Sequence, residues 1–159
     1  RVPRVILDVA PPGLLRREAE HANELFQDPE RTGVLLVTLP EEMPSTETVE
    51  LHAAVRNELN LPVCGLVVNQ TLQTLFSGSE REALRDVRSR LPAESPLAPL
   101  VALSHARAER EQLQADCIAR LASHVPARQV QLPLMLEGDF RRRQLEVLGE
   151  RLAEGFRPQ

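Results

Sequence analysis

Lysine is absent from this 159-residue chain, and all 19 residues counted as Lys or Arg are arginines. A phosphate-binding P-loop requires a lysine that follows a glycine-rich turn. The seven glycines stand singly along the chain, and neither a G-x-x-x-x-G-K-S/T nor a G-x-G-x-x-G pattern occurs. The chain by itself therefore lacks the residues that carry out phosphoryl transfer.

Aromatic residues are also scarce, and the 23 acidic residues outnumber the 19 basic ones. Aromatic side chains make up 3% of the chain, without any Trp or Tyr, and the formal net charge is -4. Proteins that bind nucleic acid stack aromatic rings on the bases and follow the backbone with basic grooves. We therefore expect no nucleic-acid partner.

The sequence offers few metal ligands. Its two cysteines, Cys64 and Cys117, form no C-x-x-C pair, and the four histidines show no ligand spacing. We expect reduced thiols, a cytoplasmic location and no metal site. No apolar run approaches the roughly 20 residues that span a bilayer, so no transmembrane segment is expected.

The length of 159 residues fits a single domain, which we assign to residues 1–159. The chain begins with Arg1 rather than Met, and its first residues show no signal-peptide profile. Our interpretation is that it begins inside a longer protein.

Two segments have the pattern of buried strands, because the apolar residues of 33–39 and 61–68 run almost without interruption. Strands buried on both faces of a parallel sheet have this pattern. Between them, residues 45–60 have helical periodicity, with Ser45 or Thr46 as the expected N-cap. The sequence therefore predicts a β-α-β unit here.

The remaining periodicity predicts four more helices and a third strand. The helices are expected over 14–27, 79–90 with Ser79 as N-cap, 100–124, and from about residue 139, and the strand over 129–134. The apolar stripe of the long helix is predicted to contain Leu100, Leu103, Ala106, Leu113, Cys117 and Leu121. Because right-handed crossovers place successive strands side by side, we predict a three-layer α/β fold whose parallel strands follow chain order.

Polar residues follow each of the first two predicted strands. Glu41 and Glu42 come after the first strand, and Asn69 and Gln70 come after the second. Open α/β sheets bind ligands just beyond the carboxyl ends of their strands. These residues are therefore the candidate binding site.

Two charge runs lie on predicted helices. Residues 109–111 (Glu-Arg-Glu) are interpreted as a solvated helix face. Residues 141–143 are three arginines in the first turn of the last helix, where cations oppose the helix dipole. They indicate either an anionic partner or neutralisation by Glu137 or Asp139.

Several short motifs occur together in a characteristic order. They are Asp-Pro-Glu-Arg-Thr-Gly at 28–33, Val-Thr-Leu-Pro-Glu-Glu-Met-Pro at 37–44, Glu-Thr at 47–48, Val-Val-Asn-Gln at 67–70, Leu-Pro-Leu at 132–134 and the helix at 145–152. Together they resemble the ArsA-like family of anion-transporting ATPases. That family includes arsenical pump-driving ATPases and the guided-entry ATPases that target tail-anchored membrane proteins. The resemblance covers essentially the whole chain, as the family's carboxyl-terminal half.

The resemblance implies the carboxyl-terminal half of a deviant-Walker P-loop NTPase fold, with the phosphate loop and switches upstream of this chain. Asn69 matches the Asn that reads the adenine edge of ATP, with Gln70 beside it. Pro133 and Leu134 match the loop that packs on the base, and Glu41 matches an acidic residue near the dimer interface. The parent protein would bind ATP with Mg²⁺, and no catalytic residue falls within this chain.

The same positions have plainer interpretations from the residues alone. Asn69 and Gln70 can cap the end of the strand and begin a turn. Pro133 and Leu134 can be ordinary strand core, and Glu41 can be a solvated carboxylate in a turn. The sequence leaves both interpretations of each position open.

The chain departs from the family pattern in two places. Residues 137–141 stand where the family more often has a hydrophobic residue, Arg and Gly. The paired cysteines that bind zinc between subunits of the targeting ATPases are absent, and two isolated cysteines cannot form a three-thiolate metalloid site. Neither an arsenite pump nor a tail-anchor receptor follows from the sequence.

Three functional hypotheses follow. The first is the carboxyl-terminal part of a cytoplasmic ArsA-like ATPase that forms a homodimer, with a membrane-protein client or a pump as partner of the parent. The second is a non-catalytic interaction domain that binds a partner, or a second copy, through an exposed sheet edge. The third is a hydrolase that uses Glu41 or Glu42 with His52.

Overall fold

The chain has an α/β fold, seen in a computed structural model that describes residue 9, residues 11–136 and residues 140–157. Its helices and strands in chain order are α1 (Leu14–Gln27), β1 (Val34–Thr38), α2 (Glu42–Asn57), β2 (Val63–Thr71), α3 (Gly78–Arg90), α4 (Ala98–His124), β3 (Gln129–Pro133) and α5 (Arg142–Gly155). Each segment predicted as a helix or strand from the sequence forms that element, with shifts at the ends.

The three strands are parallel and lie in the order β1-β2-β3, which confirms the predicted arrangement. Leu36 lies opposite Leu66 in the first pair of strands, and Val67 lies opposite Val130 in the second. Helix α2 connects β1 to β2, and helices α3 and α4 connect β2 to β3. Because parallel strands all run in one direction, their carboxyl ends meet at one edge of the sheet.

The first apolar core lies between the sheet and the helices α2 and α4. Its buried members are Leu36, Leu66, Val68, Leu121 and Val125. Leu66 and Leu121 are completely buried. Burying an aliphatic side chain of this size stabilises a fold by about 1.5–3 kcal/mol, so this core holds α4 against the central strand.

The second core lies on the opposite face of the sheet, beneath α5. Its buried strand residues are Val67, Val130 and Leu132, and partly buried Leu148, Leu152 and Phe156 pack against them. This close approach depends on Gly65, because a Cβ atom there would lie 2.3 Å from the Phe156 ring. Helices on both faces complete the three layers of the fold.

One expectation about β1 is wrong, since this strand is not buried on both faces. Leu36 belongs to the first core, but Leu35 is 45% exposed and Val37 is 63% exposed. Helix α5 packs on β3 and on the neighbouring face of β2, and it leaves these β1 side chains in solvent. Cys64 is also exposed despite its apolar strand context, whereas Cys117 is buried.

Two helices begin earlier than the sequence predicted. Helix α2 has Glu41 as N-cap, and Ser45 lies fully buried inside the helix, where its hydroxyl donates to the carbonyl of Glu42. A serine that bonds to the preceding turn no longer serves as a cap. Helix α3 is capped two residues earlier than expected by Ser77, which forms a capping box with Glu80.

The core-facing side of α4 also differs from the predicted stripe. Leu100 and Leu103 are exposed. The buried residues of the helix are Ala108, Glu111, Gln114, Cys117 and Leu121. A carboxylate and a carboxamide therefore occupy core-facing positions, and their partners lie in the segment that follows β2.

The three arginines lie at the start of α5, as predicted, with Arg141 as N-cap. Arg142 forms an ion pair with Glu146 one turn further on, at 2.8 Å. Both side chains are exposed, so the pair adds little stability. Glu137 and Asp139, the neutralising residues that the sequence suggested, lie outside the described residues.

Candidate functional site

A cavity of about 370 Å³ opens at the carboxyl edge of the sheet, between the start of α2, the end of β2 and the middle of α4. Its apolar lining consists of Leu39, Pro40, Met43, Pro44, Leu72, Leu113 and Leu134. Its polar lining consists of Glu41, Glu42, Gln70, Arg110 and Gln114. The cavity lies where an open α/β sheet binds a ligand.

Three of the five residues singled out in the sequence line this cavity. Glu41, Gln70 and Leu134 belong to its wall. Asn69 and Pro133 do not line it, although each directly precedes a residue that does. The structure thus brings together parts of the chain that are far apart in sequence, at the edge where the sequence placed them.

The end of β2 is irregular at the two candidate amide residues. The side-chain oxygen of Asn69 accepts a hydrogen bond from the backbone N–H of Gln70 at 2.9 Å. Gln70 has φ 58, in the left-handed region, and the register with β3 shifts between Val68 and Thr71. A non-glycine residue in a sparsely populated backbone conformation costs about 1–3 kcal/mol, and such residues cluster at functional sites. The Asn69 carboxamide stabilises the turn that presents Gln70 to the cavity.

Leu134 is held at the cavity wall by the residue that follows this turn. The buried Thr71 donates its hydroxyl to the carbonyl of Leu132 at 3.0 Å. The carbonyl of Thr71 accepts a hydrogen bond from the backbone N–H of Leu134 at 2.8 Å. The ends of β2 and β3 are therefore tied together at the cavity.

The mouth of the cavity at α2 is acidic. Glu41 is the N-cap of α2 and Glu42 is its first residue, and both are exposed. Carboxylates suit this end of a helix because they complement the helix dipole. Among the described residues that line the cavity, Arg110 is the cation. Two carboxylates and one arginine favour a neutral ligand over a phosphate chain.

Gln114 of α4 forms one wall and also binds the backbone next to it. Its side-chain oxygen accepts from the N–H of Leu72 at 2.6 Å, and its side-chain nitrogen donates to the carbonyl of Leu72 at 3.0 Å. Both backbone groups of this cavity-lining residue are thereby satisfied by a single buried carboxamide.

Glu111, one turn earlier in α4, binds the same connection. It is 2% exposed, so the interpretation of residues 109–111 as a solvated face is wrong for its third member. Its carboxylate accepts hydrogen bonds from the backbone N–H groups of Leu75 and Phe76. Ion pairs with Arg107 at 2.8 Å and Arg81 at 3.5 Å compensate for its burial.

These contacts decide the charge state of Glu111. Burial raises the pKa of its carboxyl group, but hydrogen bonds from Arg107 and from the backbone of Leu75 and Phe76 outweigh the burial, so the pKa lies below its usual value. Arg107 also donates to the carbonyl of Gln73 at 2.6 Å. The connection from β2 to α3 is thus held by charged and amide groups of α4.

The sequence interpretation missed Glu111, Gln114 and Leu72. A signal for the first two exists, because the buried residues of α4 follow one another at spacings of three or four residues, and Glu111 and Gln114 occupy two of these positions between Ala108 and Cys117. A search for apolar residues at helical spacing overlooks polar residues at such positions. Leu72 carries no pattern of its own, since its role arises from contacts that bridge 42 residues of sequence.

The hydrolase arrangement of Glu41, Glu42 and His52 is not assembled. His52 lies within α2, ten residues beyond Glu42, and a rise of about 1.5 Å per residue separates the two by about 15 Å along the helix axis. The described residues contain no group of three or more His, Cys, Asp and Glu side chains that could hold a metal ion. None of the helices described is both long and apolar enough to cross a membrane.

The fold and the cavity define an α/β protein with a ligand-sized site at the carboxyl edge of a parallel sheet. No protein-family model matches the chain. Over 58 residues, or 36% of its length, the chain is 40% identical to ATPase GET3C of Arabidopsis thaliana. The match spans 15% of that protein. The chain therefore has a partial similarity to a GET3 ATPase, in agreement with the family resemblance of its motifs.

Proposed function

We propose that this chain supplies the base-binding side of the ATP site in a cytoplasmic ArsA/GET3-like ATPase. The observation that supports the proposal is the cavity at the carboxyl edge of the sheet, where Gln70, Leu134 and Glu41 meet beside Asn69. The partial similarity to an ATPase points in the same direction. The phosphates and Mg²⁺ would be held by a part of the parent protein outside this chain.

The lining suits a flat nitrogen heterocycle. Leu72, Leu134 and Pro40 offer apolar surface for contact with a base. The carboxamide of Gln70 can donate and accept at once, as the N6/N7 edge of adenine requires. Asn69 accepts from the Gln70 backbone through its oxygen, and its NH₂ group adds a second donor at the same turn.

The same lining suits a phosphate chain poorly. Tight phosphate binding needs a glycine-rich loop and a lysine, and this chain contains no lysine. Glu41 and Glu42 at the mouth would repel a polyphosphate. The chain alone is therefore proposed to bind adenosine weakly and to hydrolyse nothing.

The same proposal includes the association of the parent protein, both with a second copy and with a partner protein. Glu41 follows the carboxyl end of β1 and is exposed, and in this proposal it would stand near the interface of a parent homodimer. A membrane-protein client or a pump subunit is the proposed partner class for the parent.

A second candidate function is a non-catalytic interaction domain. The exposed Leu35 and Val37 of β1 favour it, because an edge strand with an apolar face can accept a strand or a surface of another chain. In this case the cavity would bind no base.

Adenosine titration of the isotope-labelled chain, followed by NMR, tests the leading proposal. We expect shifts confined to Gln70, Leu72 and Leu134. We also expect Asn69→Ala to bind about fivefold or more weakly, because it removes the hydrogen bond, worth about 1 kcal/mol, that holds the turn presenting Gln70. The matched control is Gln131→Ala, an exposed residue of β3. Shifts that are absent, or that spread along β1 instead, would favour the interaction domain.

A further inference from the structure

The connection between β2 and α3 is an irregular segment whose backbone is bound by α4. Residues 72–77 form no helix or strand. Gln114 binds both backbone groups of Leu72, Glu111 accepts from Leu75 and Phe76, and Arg107 donates to the carbonyl of Gln73. Four of the six residues in this irregular segment are therefore held by hydrogen bonds to side chains of α4.

Two features separate this arrangement from an ordinary helix-to-loop contact. Two of the three α4 residues that make it are buried, with Glu111 2% and Gln114 8% exposed. Leu72 and Gln114 also line the cavity directly, and Gln70 lies two residues before Leu72. The segment that α4 fixes therefore begins in the wall of the cavity, at Leu72.

The geometry points to Gln114 and Glu111 as positioning residues for base binding: they hold the segment 72–76, whose first residue Leu72 lines the cavity, and so set the position of Gln70 two residues before it. The ligand in this inference comes from the proposed function, whereas the hydrogen bonds that hold residues 72–76 do not depend on that proposal. Gln114 fixes Leu72 at the wall, and Glu111 fixes Leu75 and Phe76 behind it. Glu111 also links α3, through Arg81, to the same segment.

The first experiment compares Gln114→Leu with Gln112→Leu. Both changes remove a carboxamide from α4 and keep a similar volume, but Gln112 is exposed and bonds to side chains only. Loss of two hydrogen bonds to Leu72 should weaken adenosine binding about tenfold and speed amide hydrogen exchange at Leu72. Gln112→Leu should change neither by more than about twofold.

The second experiment uses Gln114→Glu, which keeps a similar shape and tests hydrogen-bond direction rather than packing. A carboxylate accepts from the Leu72 N–H but repels the Leu72 carbonyl, whereas a protonated carboxyl group can donate to that carbonyl. Burial and the carboxylates of Glu41 and Glu42 raise the pKa of a carboxyl group introduced at this position, and Arg110, which lines the same cavity, lowers it. Adenosine affinity of this variant should therefore rise severalfold as the pH falls from about 8 to about 5.5, while the affinity of the unaltered chain stays nearly constant.

The outcomes distinguish the two proposals. If the unaltered chain binds no adenosine, the proposed function fails, and exchange at Leu72 alone decides the positioning role: faster exchange in Gln114→Leu than in Gln112→Leu supports it, and equal exchange overturns it. If the unaltered chain binds adenosine, equal affinity of Gln114→Leu and a pH-independent Gln114→Glu would overturn the positioning role and leave the proposed function standing.

Discussion

Strands β1 and β2 have similar sequences and different surroundings. Both are nearly continuous apolar runs, yet the middle of β2 is buried on both faces while Leu35 and Val37 of β1 are exposed. The difference lies in their neighbours, because β2 has a strand on each side and a helix above and below, and β1 is an edge strand. A continuous apolar run therefore does not by itself decide whether both faces of a strand are buried: the chain buries both faces of the middle of β2 and one face of β1.

The largest expected effect on stability comes from comparing the same Leu→Ala substitution in the two strands. Leu66→Ala should lower the free energy of unfolding by about 3 kcal/mol or more, because Leu66 is completely buried and its loss leaves a cavity. Leu35→Ala should cost less than about 1 kcal/mol, since its side chain is 45% exposed. Chemical denaturation of both variants measures the contrast, and equal losses would show that β1 is covered in solution.

A second test concerns the buried charge of α4. Glu111→Gln should lower the free energy of unfolding at neutral pH by about 1.5–3 kcal/mol, because hydrogen bonds to a charged carboxylate are lost or weakened. Glu109→Gln, an exposed neighbour, is the matched control and should be nearly neutral.

The pH dependence of that effect has a definite sign. The pKa of Glu111 is lowered in the folded chain, so its contribution is present above the ordinary glutamate pKa and is lost as the pH falls through the lower folded value. The stability difference between the unaltered chain and Glu111→Gln should therefore shrink on acidification. A difference that grows toward acid pH would contradict the assigned contacts.

The smallest effect on stability is expected at the exposed side of β1. Val37→Lys should change the free energy of unfolding by less than about 0.5 kcal/mol. A lysine on an edge strand opposes pairing with another chain, so the same change should reduce self-association of the chain. Light scattering across a dilution series measures this; an unaltered chain that stays monomeric at all concentrations would show that β1 needs no partner.

The sequence was sufficient for the strands and their order, because these follow from apolar periodicity and from right-handed crossovers. Three of the five candidate site residues line the cavity at the carboxyl edge of the sheet, and the function of that cavity stays a prediction. The sequence did not predict that one face of β1 is exposed, because an unbroken apolar run does not distinguish the two faces of a strand. It also missed the role of Glu111, because a helical glutamate that follows Glu109 and Arg110 has the pattern of a solvated residue. Its partners Leu75 and Phe76 lie more than 30 residues away, and only folding brings them together.

The measurement that tests the base-binding proposal most directly is the affinity of this chain for adenosine, Mg-ATP and tripolyphosphate, by calorimetry or NMR titration. The account predicts that adenosine and Mg-ATP bind with similar, weak dissociation constants of about a millimolar, because the phosphates find no contacts, and that tripolyphosphate does not bind measurably. Mg-ATP binding in the micromolar range, or tripolyphosphate binding as tight as that of Mg-ATP, would contradict it.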